Sequence, residues 1–154
     1  MLAQKGAQML REIATAPTRD IFPQEYNYTT VATRANIEET ISQLRIAGCT
    51  KIALVTITLA YKEKTGQAGL RQAERARQGT AFLLQNIRSL VRKTDRVLLC
   101  EQSMHFILLE SNLQGAEIVE ERLWQALLWR THNMGIQDNL RPLAMTIGHA
   151  ADLE

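Results

Sequence analysis

The chain has 154 residues, of which 45% are hydrophobic and 22% are charged, a balance typical of one folded domain and not of a disordered segment. The net charge of +2 is close to zero, so composition gives no reason to expect nucleic-acid or membrane-surface binding. Cys49 and Cys100 form neither a disulfide framework nor a metal-ligand pattern, and we expect reduced thiols in a cytoplasmic protein with no membrane insertion.

The N-terminal stretch differs in pattern from the rest of the chain. Apolar residues at helical spacing predict a short amphipathic helix over residues 2–15. Pro17 and Pro23 then bracket an irregular linker. We therefore predict an N-terminal helix and linker at 1–22 and a folded domain at 23–154.

The next segment is predicted to hold a helix and a strand. Thr33 is the expected N-cap of a helix that ends at Gly48. Residues 51–59 are rich in Ile, Val, Leu and Thr, which predicts a buried strand. Gly66 and Gly69, with the threonine before them, indicate a loop.

The C-terminal half alternates helices with short strands. Helical periodicity is predicted over residues 70–91 and 116–127. Residues 96–101 and 105–110 are two strands separated by three residues, which predicts an antiparallel hairpin. Residues 143–149 supply a last strand.

This order of elements indicates the fold class. Helices with one apolar stripe bury it economically against a sheet, so we predict an α+β domain with the helices packed on one face of the sheet. The order matches the palm-like, ferredoxin-related sheet of nucleotide cyclases and polymerases.

Several segments also match one family in order and approximate spacing. Thr146-Ile147-Gly148-His149-Ala150 is similar to a Ser-Ile-Gly-x-Ala strand, and Tyr61-Lys62 is similar to a Phe-Lys pair after a first strand. Further similar segments are residues 28–37, 94–97, 106–109 and 116–122. Together they resemble the GGDEF family of diguanylate cyclases over about residues 24–150.

The family's metal-binding acids have no counterpart in this chain. Diguanylate cyclases bind two metal ions through an Asp at the end of the first strand and an acid in the hairpin, and the ions activate the nucleotide. No carboxylate occurs between Lys51 and Lys62, where Thr56 and Thr58 take the expected place. The resemblance therefore implies a domain without metal, without cofactor and without enzymatic activity.

The signature loop of the family is also altered. Counting back from Phe106 places the paired glycines at Gln102 and Ser103, whereas counting forward from Asp95 places them at Glu101 and Gln102. Neither alignment contains glycine, which such a loop needs where the backbone turns with positive φ.

A ligand-binding motif of the family is nevertheless present. Arg92-Lys93-Thr94-Asp95 resembles the Arg-x-x-Asp that binds cyclic di-GMP upstream of the signature, and the resemblance implies Arg122 as a third member. An Arg fork can donate to guanine or phosphate, and an Asp can accept from guanine nitrogens. The structural alternative is an exposed helix end at Arg92 and a simple turn at Asp95.

Three other groups of residues attract attention in the sequence. His105 and His149 are expected on neighbouring strands, but no acid or Cys accompanies them at metal-ligand spacing. Trp124 and Trp129 flank an apolar helix and are expected in the core or at a partner interface. A basic helix is expected to present a solvated face, not a nucleic-acid site; its arginines are Arg71, Arg75, Arg77 and Arg88.

Two functional hypotheses follow. The first is an inactive GGDEF-like domain that serves a bacterial signalling system as a cyclic di-GMP receptor or regulatory module through Arg92, Asp95 and Arg122. The alternative is a module without ligand that uses the degenerate fold for dimerisation or docking. Both imply a protein partner or a homodimer.

Overall fold

The computed structural model of the chain describes residues 28–61, 66–133 and 141–152. The helix predicted at 2–15 and the linker between Pro17 and Pro23 lie outside the described residues. The strands are β1 (Thr29–Thr30), β2 (Ile52–Ala60), β3 (Arg96–Cys100), β4 (Ser103–Leu109) and β5 (Ala144–Ala151). The helices are α1 (Arg34–Ile46), α2 (Gly66–Ile87) and α3 (Leu113–Asn133), with a 3₁₀ turn at Arg88–Leu90.

The described strands form one mixed sheet in the order β1-β3-β4-β2-β5. β1 runs parallel to β3, and every other neighbouring pair is antiparallel. The segment β2-α2-β3-β4-α3-β5 is the β-α-β-β-α-β arrangement of ferredoxin-like folds. The predicted α+β class with a ferredoxin-related sheet is confirmed. No helix in the described part of the chain is both long enough and apolar enough to cross a membrane.

The main core lies between the sheet and the two long helices. Ile57 at the centre of β2 is completely buried against a cluster that includes Leu83 and Leu84 of α2 and Leu123 and Leu127 of α3. Full burial of each such side chain stabilises the fold by about 1.5–3 kcal/mol. This layer positions the 3₁₀ turn and the start of α3 side by side.

The helix α1 packs on the opposite face of the sheet. Ile37 and Leu44 form a second buried cluster with Ile52, Leu98 and Ile107. Because successive side chains of a strand point to opposite faces, Ile52 lies on the reverse side of β2 from its core-facing neighbours. The prediction that all helices pack on one face is wrong, because the first half of β2 is apolar on both sides.

Local signals explain where α1 begins and ends. The carboxamide oxygen of Asn36 accepts a hydrogen bond from the Thr33 backbone nitrogen at 3.0 Å, which confirms Thr33 as the N-cap. At the other end Gly48 has a φ of 104°, and its nitrogen donates to the Arg45 carbonyl at 3.0 Å. Glycine adopts this conformation without the cost that a Cβ imposes, so the helix stops there as predicted.

The hairpin is tighter than the sequence predicts. β3 and β4 are separated by two residues, Glu101 and Gln102, and not by three. Cys100 pairs directly with Ser103 across the turn. Glu101 has a φ of 56°, an uncommon value for a residue with a Cβ, so a turn position that favours glycine is occupied by glutamate.

Two further boundaries differ from the predictions. The two-residue strand β1 is not foreseen, because so short a segment carries no periodicity. Gly66 and Gly69 belong to the first turn of α2 and not to a loop. A glycine inside a helix costs about 1 kcal/mol, and the packing of the long apolar stripe behind them offsets this cost.

The end of β5 is tied to α1 and to the start of β2. Arg45 donates two hydrogen bonds to the Asp152 carboxylate, at 2.6 and 3.1 Å. The same carboxylate accepts from the Ile52 backbone nitrogen at 2.9 Å. These contacts, above all the one from Arg45, lower the pKa of Asp152 below its usual range.

Candidate functional site

The three residues of the predicted ligand site line one cavity. It measures about 490 Å³ and lies between the 3₁₀ turn, the segment before β3, the end of β4 and the first turns of α3. Its lining residues are Ser89, Leu90, Val91, Arg92, Asp95, Leu108, Glu110, Ser111, Gly115, Ile118, Val119 and Arg122. Residues 30 positions apart in the sequence thus converge on one concave surface.

Asp95 is the buried centre of this region. Its side chain is only 2% exposed. One carboxylate oxygen accepts from the Arg92 backbone nitrogen at 3.0 Å, and the other accepts from the Leu109 backbone nitrogen at 3.0 Å. The Arg92 guanidinium adds Nε at 3.4 Å and Nη2 at 3.3 Å. A buried carboxylate must be paired and hydrogen-bonded, and Asp95 meets this requirement within the chain.

Arg92 is held from one side and open on the other. Its Nη2 also donates to the Leu109 carbonyl, so Nε and Nη2 are both committed to the protein. Its Nη1 has no hydrogen-bond partner among the described residues, and the side chain is 58% exposed. The guanidinium of Arg92 is therefore fixed through Nε and Nη2, and its Nη1 edge is open to the cavity.

Arg122 supplies the second cation from α3. It is exposed, and its Nη1 donates to the Leu90 carbonyl at 3.0 Å. This contact links α3 to the 3₁₀ turn across the cavity. The start of α3 lies at the same cavity through Gly115, and its first turn contains no acidic residue. The positive end of the helix dipole therefore reinforces the two arginines.

Glu110 brings a negative charge to the rim, but its carboxylate is occupied. Its two oxygens accept from the backbone nitrogen and the hydroxyl of Thr50, each at 3.1 Å. These contacts, with the backbone hydrogen bond of Thr50 as the largest, lower the pKa of the Glu110 carboxyl. Glu110 stays ionised and turned toward Thr50.

Arg88 is the residue of this region that sequence reasoning misplaces. The sequence predicts a solvated basic face for it, yet it is 8% exposed and donates to the carbonyls of Arg92 and Asp95, each at 3.3 Å. Burial lowers its pKa, and the charge of Asp95 partly opposes that shift. Arg88 follows the buried Leu84 by four residues, and this helical spacing is the sequence feature that could have indicated the inner face.

Hydroxyl groups line the sheet beside the hairpin. Thr58 pairs with Ser103, and their oxygens lie 3.1 Å apart. Thr56 pairs with His105, and its Oγ1 lies 3.2 Å from the His105 Nδ1. Thr56 and Thr58 therefore both lie beside the hairpin strand β4. Within the described residues no group of three His, Cys, Asp or Glu side chains is arranged to hold a metal ion.

The two histidines do not lie on neighbouring strands, so that prediction is wrong. His105 is on β4 and His149 is on β5, and β2 runs between them. His105 points to the α1 side of the sheet, whereas His149 contacts Glu120 and Glu117 of α3 on the other side. One strand of separation and the alternation of side chains keep them apart.

No family model matches the sequence, and no curated protein matches it. Among solved structures, the chain is similar to the crystal structure of a DGC protein from Thermotoga maritima, with a TM-score of 0.49 and 13% sequence identity. That superposition covers 80% of this chain and 81% of the other.

Proposed function

We propose that this chain is a catalytically inactive GGDEF-like domain that acts as a cyclic di-GMP receptor or regulatory module. The observation that supports this most is the convergence of Arg92, Asp95 and Arg122 on one cavity of about 490 Å³. The sequence resemblance selects these three residues independently of any geometry. A cavity of this size lies within the range of small-molecule sites.

The charges of the cavity suit a ligand with two phosphates. Arg92 and Arg122 are exposed cations, and the start of α3 adds a favourable dipole. Each charge-assisted hydrogen bond contributes about 1.5–3 kcal/mol. We therefore expect a dissociation constant around micromolar, which corresponds to roughly −8 kcal/mol.

The proposal includes the absence of cyclase activity. The place where the family carries the metal-binding Asp of its first strand is taken by the hydroxyls of Thr56 and Thr58. Hydroxyls are weak ligands for Mg²⁺, which is usually held by carboxylates. The protein should form no cyclic di-GMP from GTP with Mg²⁺ or Mn²⁺, and metal-dependent product from pure protein would contradict this.

Calorimetric titration of the chain with cyclic di-GMP tests the receptor proposal directly. We expect one saturable binding event with a dissociation constant between about 1 and 10 µM. The absence of any heat of binding at 100 µM cyclic di-GMP would contradict the proposal.

The second candidate function is a docking module that binds no nucleotide. Two apolar side chains of α3 favour it: Ile118 is 54% exposed and Trp129 is 53% exposed. Trp129 also stacks with Arg130, whose guanidinium carbon lies 5.8 Å from the ring centroid. Exposed tryptophan is enriched at interface hot spots. A stable dimer in sedimentation, together with absent cyclic di-GMP binding, would favour this function.

A further inference from the structure

We infer that the open edge of β5 pairs with the β5 edge of a second copy of this chain and so forms a symmetric dimer. This edge is separate from the cavity beside Arg92, so the dimer does not depend on cyclic di-GMP. Among the described strands β5 has one neighbour, β2, and it ends the sheet on its other side. Its 8 residues present about 27 Å of strand edge to a partner.

The backbone groups that point outward from β5 follow from its ladder with β2. The Asp152 nitrogen donates to the Ile52 carbonyl at 3.1 Å, and hydrogen-bonded pairs alternate along an antiparallel ladder. The even-numbered residues of β5 therefore bond to β2. The N–H and C=O groups of Met145, Ile147 and His149 point away from β2, to the open edge. A row of such groups is a template for pairing with another strand.

The sequence features that usually prevent strand pairing are missing from β5. Edge strands are commonly kept apart by charged side chains, by proline, by a bulge or by a short length. Residues 144–151 contain no Asp, Glu, Lys, Arg or Pro, and they pair with β2 at consecutive positions without a bulge. The opposite edge strand, β1, is only 2 residues long. Of the two edges of the sheet, β5 is therefore the one suited to a partner strand.

The helix α3 supplies apolar surface that a strand pair alone lacks. Two strands without further packing are only marginally stable. α3 contacts both β2 and β5, and the Glu117 carboxylate lies 3.7 Å from the His149 Nε2. Glu121 and the half-buried Trp124 and Leu128 follow Glu117 at helical spacing, so they share the side of α3 that faces β5. A partner strand at this edge brings its own α3 to about 10 Å, a usual distance between packed helices.

Trp124 lies level with the middle of β5. β4 and β5 are both antiparallel to β2, so the helix that connects them, α3, runs in the opposite direction to β5. From the contact between Glu117 and His149, the part of the helix up to Trp124 spans about 10 Å, which equals about three residues of strand. Trp124 is thus level with Thr146 and Ile147.

These positions favour a second copy as the partner. A two-fold axis beside Ile147 pairs the two β5 strands through about six backbone hydrogen bonds. The two Trp124 side chains then meet near the axis, and tryptophan is enriched at interface hot spots. The antiparallel α3 helices bring the acidic Glu117 and Glu121 of one copy beside the basic His132 in the last turn of the other. A symmetric interface of this kind closes at two copies.

Analytical ultracentrifugation of the full chain tests the dimer. We expect a species of twice the chain mass of 17.4 kDa, with a dissociation constant of about 10 µM or less. A chain that stays monomeric at about 100 µM, ten times that constant, overturns the inference.

Two matched charge variants test the pairing itself. With the axis beside Ile147, Thr146 of one copy lies directly opposite Gly148 of the other. Both residues are exposed, and a Cβ at Gly148 would meet no atom within 4 Å, so the monomer can accept both changes. Thr146→Glu with Gly148→Glu places like charges opposite each other twice and should weaken the dimer about tenfold. Thr146→Glu with Gly148→Lys places opposite charges there and should keep the affinity of the wild type.

Circular dichroism checks that both double variants are folded. A dimer that the like-charge variant leaves unchanged, or that both variants weaken equally, uses another surface or another register and overturns the inference.

Discussion

Asp95 accepts a hydrogen bond from the backbone nitrogen of Leu109 at 3.0 Å, so that one buried carboxylate joins the turn before β3 to the last residue of β4. The turn is closed from within by the Asp95 nitrogen, which donates to the Arg92 carbonyl at 3.1 Å. The motif selected for ligand binding is thus also a structural element of the sheet.

Replacement of Asp95 should cost stability as well as binding. Asp95→Ala leaves two backbone nitrogens without their acceptor and should lower the free energy of unfolding by about 2–4 kcal/mol. Asp95→Asn keeps one acceptor oxygen and should cost less. Chemical denaturation at pH 7 measures both. Glu74→Ala, which breaks an exposed pair with Arg77, should cost about 1 kcal/mol or less. An Asp95→Ala value no larger than that control would contradict the structural role.

The two arginines of the cavity should both be needed for cyclic di-GMP. Arg92→Ala and Arg122→Ala should each weaken binding about tenfold or more, since 1.4 kcal/mol corresponds to one decade. Arg71→Ala, an exposed arginine of α2 outside the cavity, is the matched control and should bind as wild type does. Calorimetry gives the affinities, and circular dichroism checks that each variant is folded. Wild-type affinity in Arg92→Ala would refute the receptor proposal.

His105 should make stability depend on pH in the weakly acidic range. It is 4% exposed, and burial first, then the positive charge of Arg34, lower its pKa. Below about pH 6.5 His105 is protonated in the unfolded chain but resists protonation in the native protein. The free energy of unfolding therefore decreases as the pH is lowered, by at most about 1.4 kcal/mol per pH unit. His105→Gln should flatten this slope between pH 7 and 5.

The control for that slope is His132→Gln, because His132 is exposed at the end of α3. Urea denaturation at several pH values gives the free energy of unfolding for each variant. An identical slope in wild type and His105→Gln would show that another group titrates.

The hairpin turn should respond in opposite directions to glycine at its two positions. Glu101→Gly should raise the free energy of unfolding by about 0.5–1 kcal/mol, because Glu101 has a φ of 56° that a Cβ disfavours. Gln102→Gly should lower it, because Gln102 is not among the described residues with positive φ and glycine there adds only chain entropy. Thermal and chemical denaturation measure both changes. A loss of stability in Glu101→Gly would refute the assigned turn geometry.

Strong periodic patterns explain which parts of the fold were predictable. The run of β-branched and apolar residues in β2 and the apolar stripes of α2 and α3 predict those elements within a few residues. The packing of α1 on the reverse face was not predictable in the same way. It depends on Ile52, Leu98 and Ile107, which come from three strands and form a surface only when the sheet is assembled.

The candidate site was likewise predictable only in part. Arg92, Asp95 and Arg122 could be selected by resemblance, and they meet in one cavity. The sequence did not reveal that backbone nitrogens occupy the Asp95 carboxylate, or that Arg88 is buried. Both depend on backbone groups, including the Leu109 nitrogen and the Asp95 carbonyl, whose directions are set by the path of a turn and not by residue type.

The hydrogen bonds from Arg45 and Ile52 to the Asp152 carboxylate have a consequence for how the chain folds during synthesis. Ile52 and Asp152 are 100 residues apart, and Thr56 meets His105 across a separation of 49. The strand β2 is therefore synthesised before both of its neighbours in the sheet, β4 and β5. Such distant pairings slow folding because loop closure precedes any gain from contact. Until β5 emerges, the apolar edge of β2 is open to chaperones and to aggregation, so a pause before residue 152 should increase misfolding.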